Sequence, residues 1–370
     1  MRQTGNKTVA AWKVVGPHEV KLCDHTIPAK PPAGMLRVQP LFVGVCGSDL
    51  DLVKSGGKHS AHAGEPQPII PGHEMCGKVV AVGRGVTGFK CDDIVVVEPA
   101  LPCGECVDCL RGDYNCCKTT GYWGTPPVDG CFVREIDVWP QWTLKVLAGL
   151  DPMLAALVEP LAACVEAIYN GGKAPQIPVH EHVLILGGGN IAMGVAFVLN
   201  DLINPERVIV AARKEHDLMF ARSLGIRHVI QLGDAEHNKA AMQKVLDITG
   251  NGNPKARGVG AIVECTGAES ILSAAIEARV LFGYGRIIGV GCHGKIPVDI
   301  PLLRRSAISF IPVRRSRDKF GRTLSLIDRN RERAGQLIGR IAGFEDLDQV
   351  LLSKSGESTG TGGPKTMIRF

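Results

Sequence analysis

Aromatic residues are scarce, at 5% of the chain. A surface that binds nucleic acid by stacking bases needs aromatic side chains, so this scarcity argues against one. No stretch is apolar over the length that a membrane span requires. The opening residues, MRQTGNKTVAAWKVV, lack an apolar run of signal-peptide length. A cytoplasmic location is therefore expected, with no membrane or nucleic-acid partner. Thiols stay reduced in that compartment. Thirteen cysteines in such a chain point away from disulfides and towards metal.

Net charge is also small, at +5, but its distribution is uneven. Arg304, Arg305, Arg314, Arg315, Arg317, Lys319 and Arg322 crowd one segment. A solvated basic face is one reading of that segment. Contact with an anionic substrate or a cofactor phosphate is the other.

What is present describes an ordinary globular protein. The chain has 370 residues, 45% of them hydrophobic and 21% charged, enough for two domains. Up to residue 150 the texture is that of a β domain. Runs at 35–45, 77–83 and 93–99 are rich in Val and Ile and are cut by Gly and Pro. Near residue 153 the pattern changes. MLAALVEPLAACVEAIYNGG has helical apolar spacing and ends in paired glycines. Strands and helices then alternate. HVLILG, RVIVAA, HVIQL, GAIVECTG and RIIGVG read as strands, with helices at NIAMGVAFVLNDL, DLMFARSLG and AAMQKVLDIT. Such alternation predicts βαβ units and a doubly wound parallel sheet, hence an α/β fold. Residues 250–258 and 354–365 are polar loops, the second a surface loop before a last strand, TMIRF.

The first strand of this half runs into Gly187-x-Gly189-x-x-Ala192 at the start of a helix. In that context the glycines predict a dinucleotide site. Gly187 permits the tight turn and Gly189 lets backbone approach a pyrophosphate. Ala192 is small enough for helix–strand packing. Asn190 and Ile191 open the helix, whose free N–H groups face the phosphates. An NAD site places an acidic residue about 20 residues further on. Here the second strand ends at Ala212, followed by Arg213 and Lys214. A cation there suits a 2′-phosphate, so NADP is expected over NAD, which stays possible.

Two groups of metal-ligand residues precede this. Cys103, Cys106, Cys109 and Cys117 bring four thiols together over short loops. Four thiolates fill a tetrahedral zinc shell and leave no open position, which marks a structural site. By spacing alone, Cys116 competes with Cys117 for the fourth place. The second group is sparser. Cys46, Ser48 and Asp49 lie in GVCGSDL, and His73 and Glu74 in PGHEMCG. One thiolate, one imidazole and a carboxylate suit a catalytic zinc with room for substrate.

Taken in order, GVCGSD, PGHEMCGKVVAVG, CGECVDCLRGDYNCC, TPPVDGCFVRE and ILGGGNIAMG resemble the zinc-dependent medium-chain alcohol dehydrogenases. TPPVDG and LVEPLA are most similar to the sorbitol (polyol) dehydrogenase branch. The resemblance implies a GroES-like β catalytic domain over 1–164, with a zinc lobe at 102–118. It implies a Rossmann domain over 165–308 and a return to the catalytic domain over 309–370. It also implies that Cys46, His73 and Glu74 or Glu159 surround a catalytic zinc, with water mediating the other Glu. Ser48 then accepts the proton of a secondary alcohol while hydride passes to NADP. Asp51 stands where the branch has a relay histidine. Arg314 or Arg315 holds the place of its substrate-facing arginine. Two zinc ions per chain and a homodimer or homotetramer follow. The competing reading is a zinc-lobed binding or scaffold protein on a nucleotide fold. It rests on the basic segment alone, since a binding module has no need of an open zinc site.

Overall fold

The computed structural model describes residues 5–57, 67–250, 252, 253, 255, 257–291, 300–353 and 363–370. The chain divides into two compact units. The first comprises Met1–Glu159, Phe320–Gly360 and Lys365–Phe370, and the second comprises Pro160–Lys319 and Thr361–Pro364.

The first unit is built on a seven-stranded sheet. Its path runs Ile338–Gly343, Lys365–Arg369, Leu36–Gly44, Glu74–Val82, Ile94–Val97 and Thr143–Lys145. The strand Ile136–Val138 also pairs with Leu36–Gly44. The strand Lys365–Arg369 lies antiparallel to Leu36–Gly44, so the chain's last strand enters a sheet made mostly by its first third. Val38, Val43, Met75, Val79, Val95, Val97, Phe132 and Ile368 form one buried core with their neighbours. Each such side chain stabilises the fold by about 1.5–3 kcal/mol relative to exposure. The hairpin of Asn6–Gly16 and Glu19–Pro28 joins this core through Trp12, whose indole N–H donates to Phe344 O at 2.7 Å.

Among the described residues the β reading of this region misses two α-helices, the single turn Val107–Leu110 and the longer Gly47–Ser55. Cys46 is the N-cap of the longer one, with extended backbone, and Asp49 at the third helical position accepts from the Cys46 N–H at 2.9 Å. Gly56, at φ 67°, ends it in the left-handed region.

The second unit carries a six-stranded parallel sheet. Its spatial order is His228–Gln231, Val208–Ala212, Val183–Leu186, Val259–Glu264, Leu281–Gly289 and Ser309–Pro312. Val183–Leu186 is buried throughout, which is why it reads as an unbroken apolar run. The strand order reverses between Val183–Leu186 and Val259–Glu264, the place where such sheets bind ligands.

Two expectations need correction. The expected boundary at 308 falls too early. Ser309–Pro312 pairs with Leu281–Gly289, so the second unit continues to Lys319. The single helix expected from 153 is two, Pro152–Ala155 and Val158–Tyr169. Pro160 has no N–H and its ring would clash with the carbonyl four residues back, so a helix tolerates it only in the first turn. Restarting at Val158 puts it there. Residues 354–362 of the predicted surface loop lie outside the described residues.

Candidate active site and zinc lobe

Cys46 Sγ, a ring nitrogen of His73 and a carboxylate oxygen of Glu74 lie within 4.8 Å of one another. Each comes from a point where regular structure starts. Cys46 caps the helix Gly47–Ser55, and Glu74 opens the strand Glu74–Val82 behind His73. Gly72 precedes them at φ 95°, a conformation other residues rarely adopt, and a Cβ there would lie 2.7 Å from the Phe132 ring.

Asp49 ties the two segments together. It is 1% exposed, and its Oδ2 accepts from Cys46 N and its Oδ1 from Gly72 N, both at 2.9 Å. Oδ1 also lies 3.7 Å from His73 Nδ1. Burial by itself would lower the His73 pKa. The carboxylate of Asp49, followed by Cys46 and Glu159, outweighs burial and pushes it up to about 10. Burial raises the carboxyls of Asp49 and Glu159. A pocket that holds an imidazole so basic carries an excess of negative charge. That excess, with sulfur, nitrogen and oxygen donors converging, fits a divalent zinc ion.

Two further residues complete the pocket, and sequence reasoning missed both. Lys365, 3% exposed, forms an ion pair with Glu74 Oε2 and donates to Val45 O at 2.9 Å. Tyr122 donates to Glu159 Oε1 at 2.6 Å, and its ring centroid lies 5.5 Å from that of His73. Glu159 itself stands outside the group of three convergent donors. Asp49 did carry a local signal, because it sits three residues after Cys46 at the spacing of a capping box. Lys365 carried none, since its partners lie at the other end of the chain. Ser48 and Asp51 are exposed on the helix Gly47–Ser55, and Asp51 lies 3.3 Å from Lys54 Nζ.

In the lobe, the sulfurs of Cys103, Cys106, Cys109 and Cys117 lie within 4.8 Å of one another. Cys103 N donates to Cys117 Sγ at 3.5 Å, and that N–H is the first cause holding the Cys117 thiol down at about 6. Cys116 is exposed and outside the group. It closes the 3-10 turn Tyr114–Cys116, which directs its neighbour inward instead. Four sulfurs facing one point fit a closed zinc shell.

In the second unit, Gly187 at φ 125° follows its strand, and Gly189 caps the helix Asn190–Leu202. A Cβ on Gly189 would meet nothing within 4 Å, so backbone there is open to a ligand. Asn190 Oδ1 is buried without a hydrogen-bond partner, and Ile191 is the next residue of the first turn. An open glycine and a helix N-terminus together fit a dinucleotide pyrophosphate, and the orphaned oxygen, an acceptor, suits a hydroxyl of such a ligand instead. Ala192 is buried, as expected. The tighter contact, which was missed, is Gly194, where a Cβ would lie 2.7 Å from Cys164 Sγ. Arg213 and Lys214 are exposed just beyond Ala212, and Glu215 faces Arg222 at 3.5 Å. Arg314 is exposed and Arg315 half-buried, beyond the strand Ser309–Pro312. Their segment is anchored by Arg317 and Lys319, which reach the buried Glu166 at 3.2 and 3.4 Å.

Comparison with known proteins agrees with this chemistry. Residues 32–148 match the family described as alcohol dehydrogenase GroES-like domain. L-arabinitol 4-dehydrogenase of Aspergillus oryzae is 33% identical over 74% of this chain and 70% of its own length. Sorbitol dehydrogenase of Bacillus subtilis is 29% identical over 73% of this chain and 72% of its own. The fold is shared with galactitol-1-phosphate dehydrogenase of Escherichia coli, at a TM-score of 0.80 and 22% identity, covering 98% of this chain and 100% of that one. Among the described residues no helix is long and apolar enough to cross a membrane. With its two convergent groups of metal donors, its parallel-sheet unit and these relatives, the chain belongs to the zinc-dependent medium-chain alcohol dehydrogenases, enzymes that oxidise and reduce small alcohols with a nicotinamide cofactor.

Proposed function

We propose that this enzyme interconverts a secondary alcohol of a polyol, sugar or cyclitol with its ketone, preferring NADP(H). The observation that carries the reading is the convergence of Cys46, His73 and Glu74. Three protein donors leave one position of a tetrahedral zinc for substrate. A zinc ion held there supplies a Lewis acid that lowers the pKa of an alcohol hydroxyl. Nicotinamide supplies the hydride acceptor.

The chain's own residues do the rest. Asp49 holds the segments that carry Cys46 and His73, fixing the approach of both ligands. Lys365 fixes Glu74. Ser48 takes the hydroxyl proton. Asp51, three residues on and on the same exposed helix face, passes it to water. A binding or scaffold role is not favoured, because it has no use for a buried thiol, imidazole and carboxylate aimed at one point.

Exposed Arg213 and Lys214 beyond an apolar Ala212 support the NADP preference. Arg314 and Arg315 support an anionic substrate such as a phosphorylated polyol. The edge strand Ser309–Pro312, with Phe310 38% exposed and Tyr284 on its neighbour 81% exposed, supports a homodimer or homotetramer. Cysteines grouped as metal donors support a reducing, cytoplasmic setting.

The test is a panel of polyols and phosphorylated polyols followed by nicotinamide absorbance with each coenzyme. One charge-assisted contact to the 2′-phosphate corresponds to about a tenfold or greater advantage in kcat/KM for NADP. Equal efficiency, or a preference for NAD, refutes the coenzyme assignment. Turnover retained by Cys46→Ser refutes the site.

A further inference from the structure

We propose that Tyr122 is a positioning residue that keeps Glu159 off the catalytic metal. The inference rests on the zinc reading above and extends it to Tyr122, which no motif assigns.

Two buried glutamates face one pocket, and each is held by a different partner. Glu74 is paired through Oε2 with Lys365 and keeps an oxygen among the three convergent donors. Glu159 is held through Oε1 by the Tyr122 hydroxyl at 2.6 Å and is not among them. Tyr122 and Glu159 are each 9% exposed, so water does not compete freely for this contact. The phenol itself is anchored. Its backbone pairs with Ala100 in the strands Ala100–Leu101 and Gly121–Tyr122, and its ring tilts 56° against that of His73.

Charge explains why the separation matters. A thiolate, a carboxylate and a neutral imidazole balance a divalent cation. A second carboxylate in the shell makes the centre anionic and occupies the position that substrate needs. Both effects weaken the pull on a substrate hydroxyl. The phenol leaves Glu159 its charge but fixes where that charge sits. Without the hydroxyl, Glu159 turns towards the metal and becomes a ligand.

The experiment compares wild type, Tyr122→Phe, Glu159→Gln and the double variant, each with zinc in the lobe and cobalt(II) at the Cys46 set. In Tyr122→Phe the ring stays and only the hydroxyl goes. Chelator removal of the cobalt is expected to slow about tenfold, the scale on which such outer partners act. The visible ligand-field absorption should weaken as the coordination number rises, and kcat/KM should fall, with KM raised because Glu159 competes for the substrate's position. Glu159→Gln alone should lose cobalt at the wild-type rate. In the double variant, the change should return the rate and the spectrum to wild type. A wild-type rate and spectrum in Tyr122→Phe overturn the proposal, as does faster loss in Glu159→Gln, which would make Glu159 a resident ligand. A wild-type enzyme that takes up no cobalt at Cys46 overturns the zinc reading, and this inference with it.

Discussion

Replacing Asp49 by Asn changes one heavy atom and removes two functions. Asp49 is 1% exposed, and both its oxygens accept backbone N–H groups at 2.9 Å, from Cys46 and from Gly72. Asn offers one oxygen and one NH2. Either orientation leaves one buried N–H facing a donor, and leaves that NH2 without an acceptor. Each buried polar group left unsatisfied costs about 1–3 kcal/mol. The pair amounts to about 2–6 kcal/mol, a large share of the ~5–15 kcal/mol that holds a typical domain together. Metal binding suffers as well. The two segments that Asp49 ties carry two of the three candidate zinc donors, so their mutual placement loosens. A fall in zinc affinity of about 10–100-fold is expected. Urea denaturation followed by Trp fluorescence gives the first quantity, and competition with a chromophoric chelator gives the second. Stability within about 0.5 kcal/mol of wild type, together with unchanged zinc affinity, would refute the role assigned to Asp49.

The lobe and the surface give two smaller tests. Cys117→Ser should lose one zinc per chain by elemental analysis and lower the melting temperature, whereas Cys116→Ser should do neither, and the opposite pattern would exchange their roles. Asp93 accepts from Lys145 Nζ at 2.8 Å and from Lys90 N at 2.9 Å, and these contacts, Lys145 first, hold its carboxyl below the ordinary 3.8. A depressed carboxylate contributes stability that is present above its unfolded pKa and lost as pH falls through the folded one. The urea midpoints of wild type and Asp93→Asn should therefore differ at neutral pH and converge below about pH 3; a gap that stays constant contradicts the ion pair.

What could be read from the sequence follows distance along the chain. Val183–Leu186 and Ile94–Val97 are legible because burial on both faces demands unbroken apolar runs. The helix Gly47–Ser55 is not, because nine residues among strands are too few for helical periodicity to emerge. The candidate metal donors are legible for the same local reason. Cys46, His73 and Glu74 lie at the starts of a helix and a strand, where short motifs fix backbone direction. The groups that control those donors have no such reason to be near them. Lys365 donates to a carbonyl 320 residues away, and Tyr122 to a carboxylate 37 residues away. Both contacts exist only once distant segments have packed together. The choice between Cys116 and Cys117 is local in sequence but depends on a single 3-10 turn. The chemistry is thus announced by motifs, while its tuning is decided by tertiary structure. Tyr122 and Lys365, which no motif contains, are therefore the positions at which substitution tests the control of this donor set.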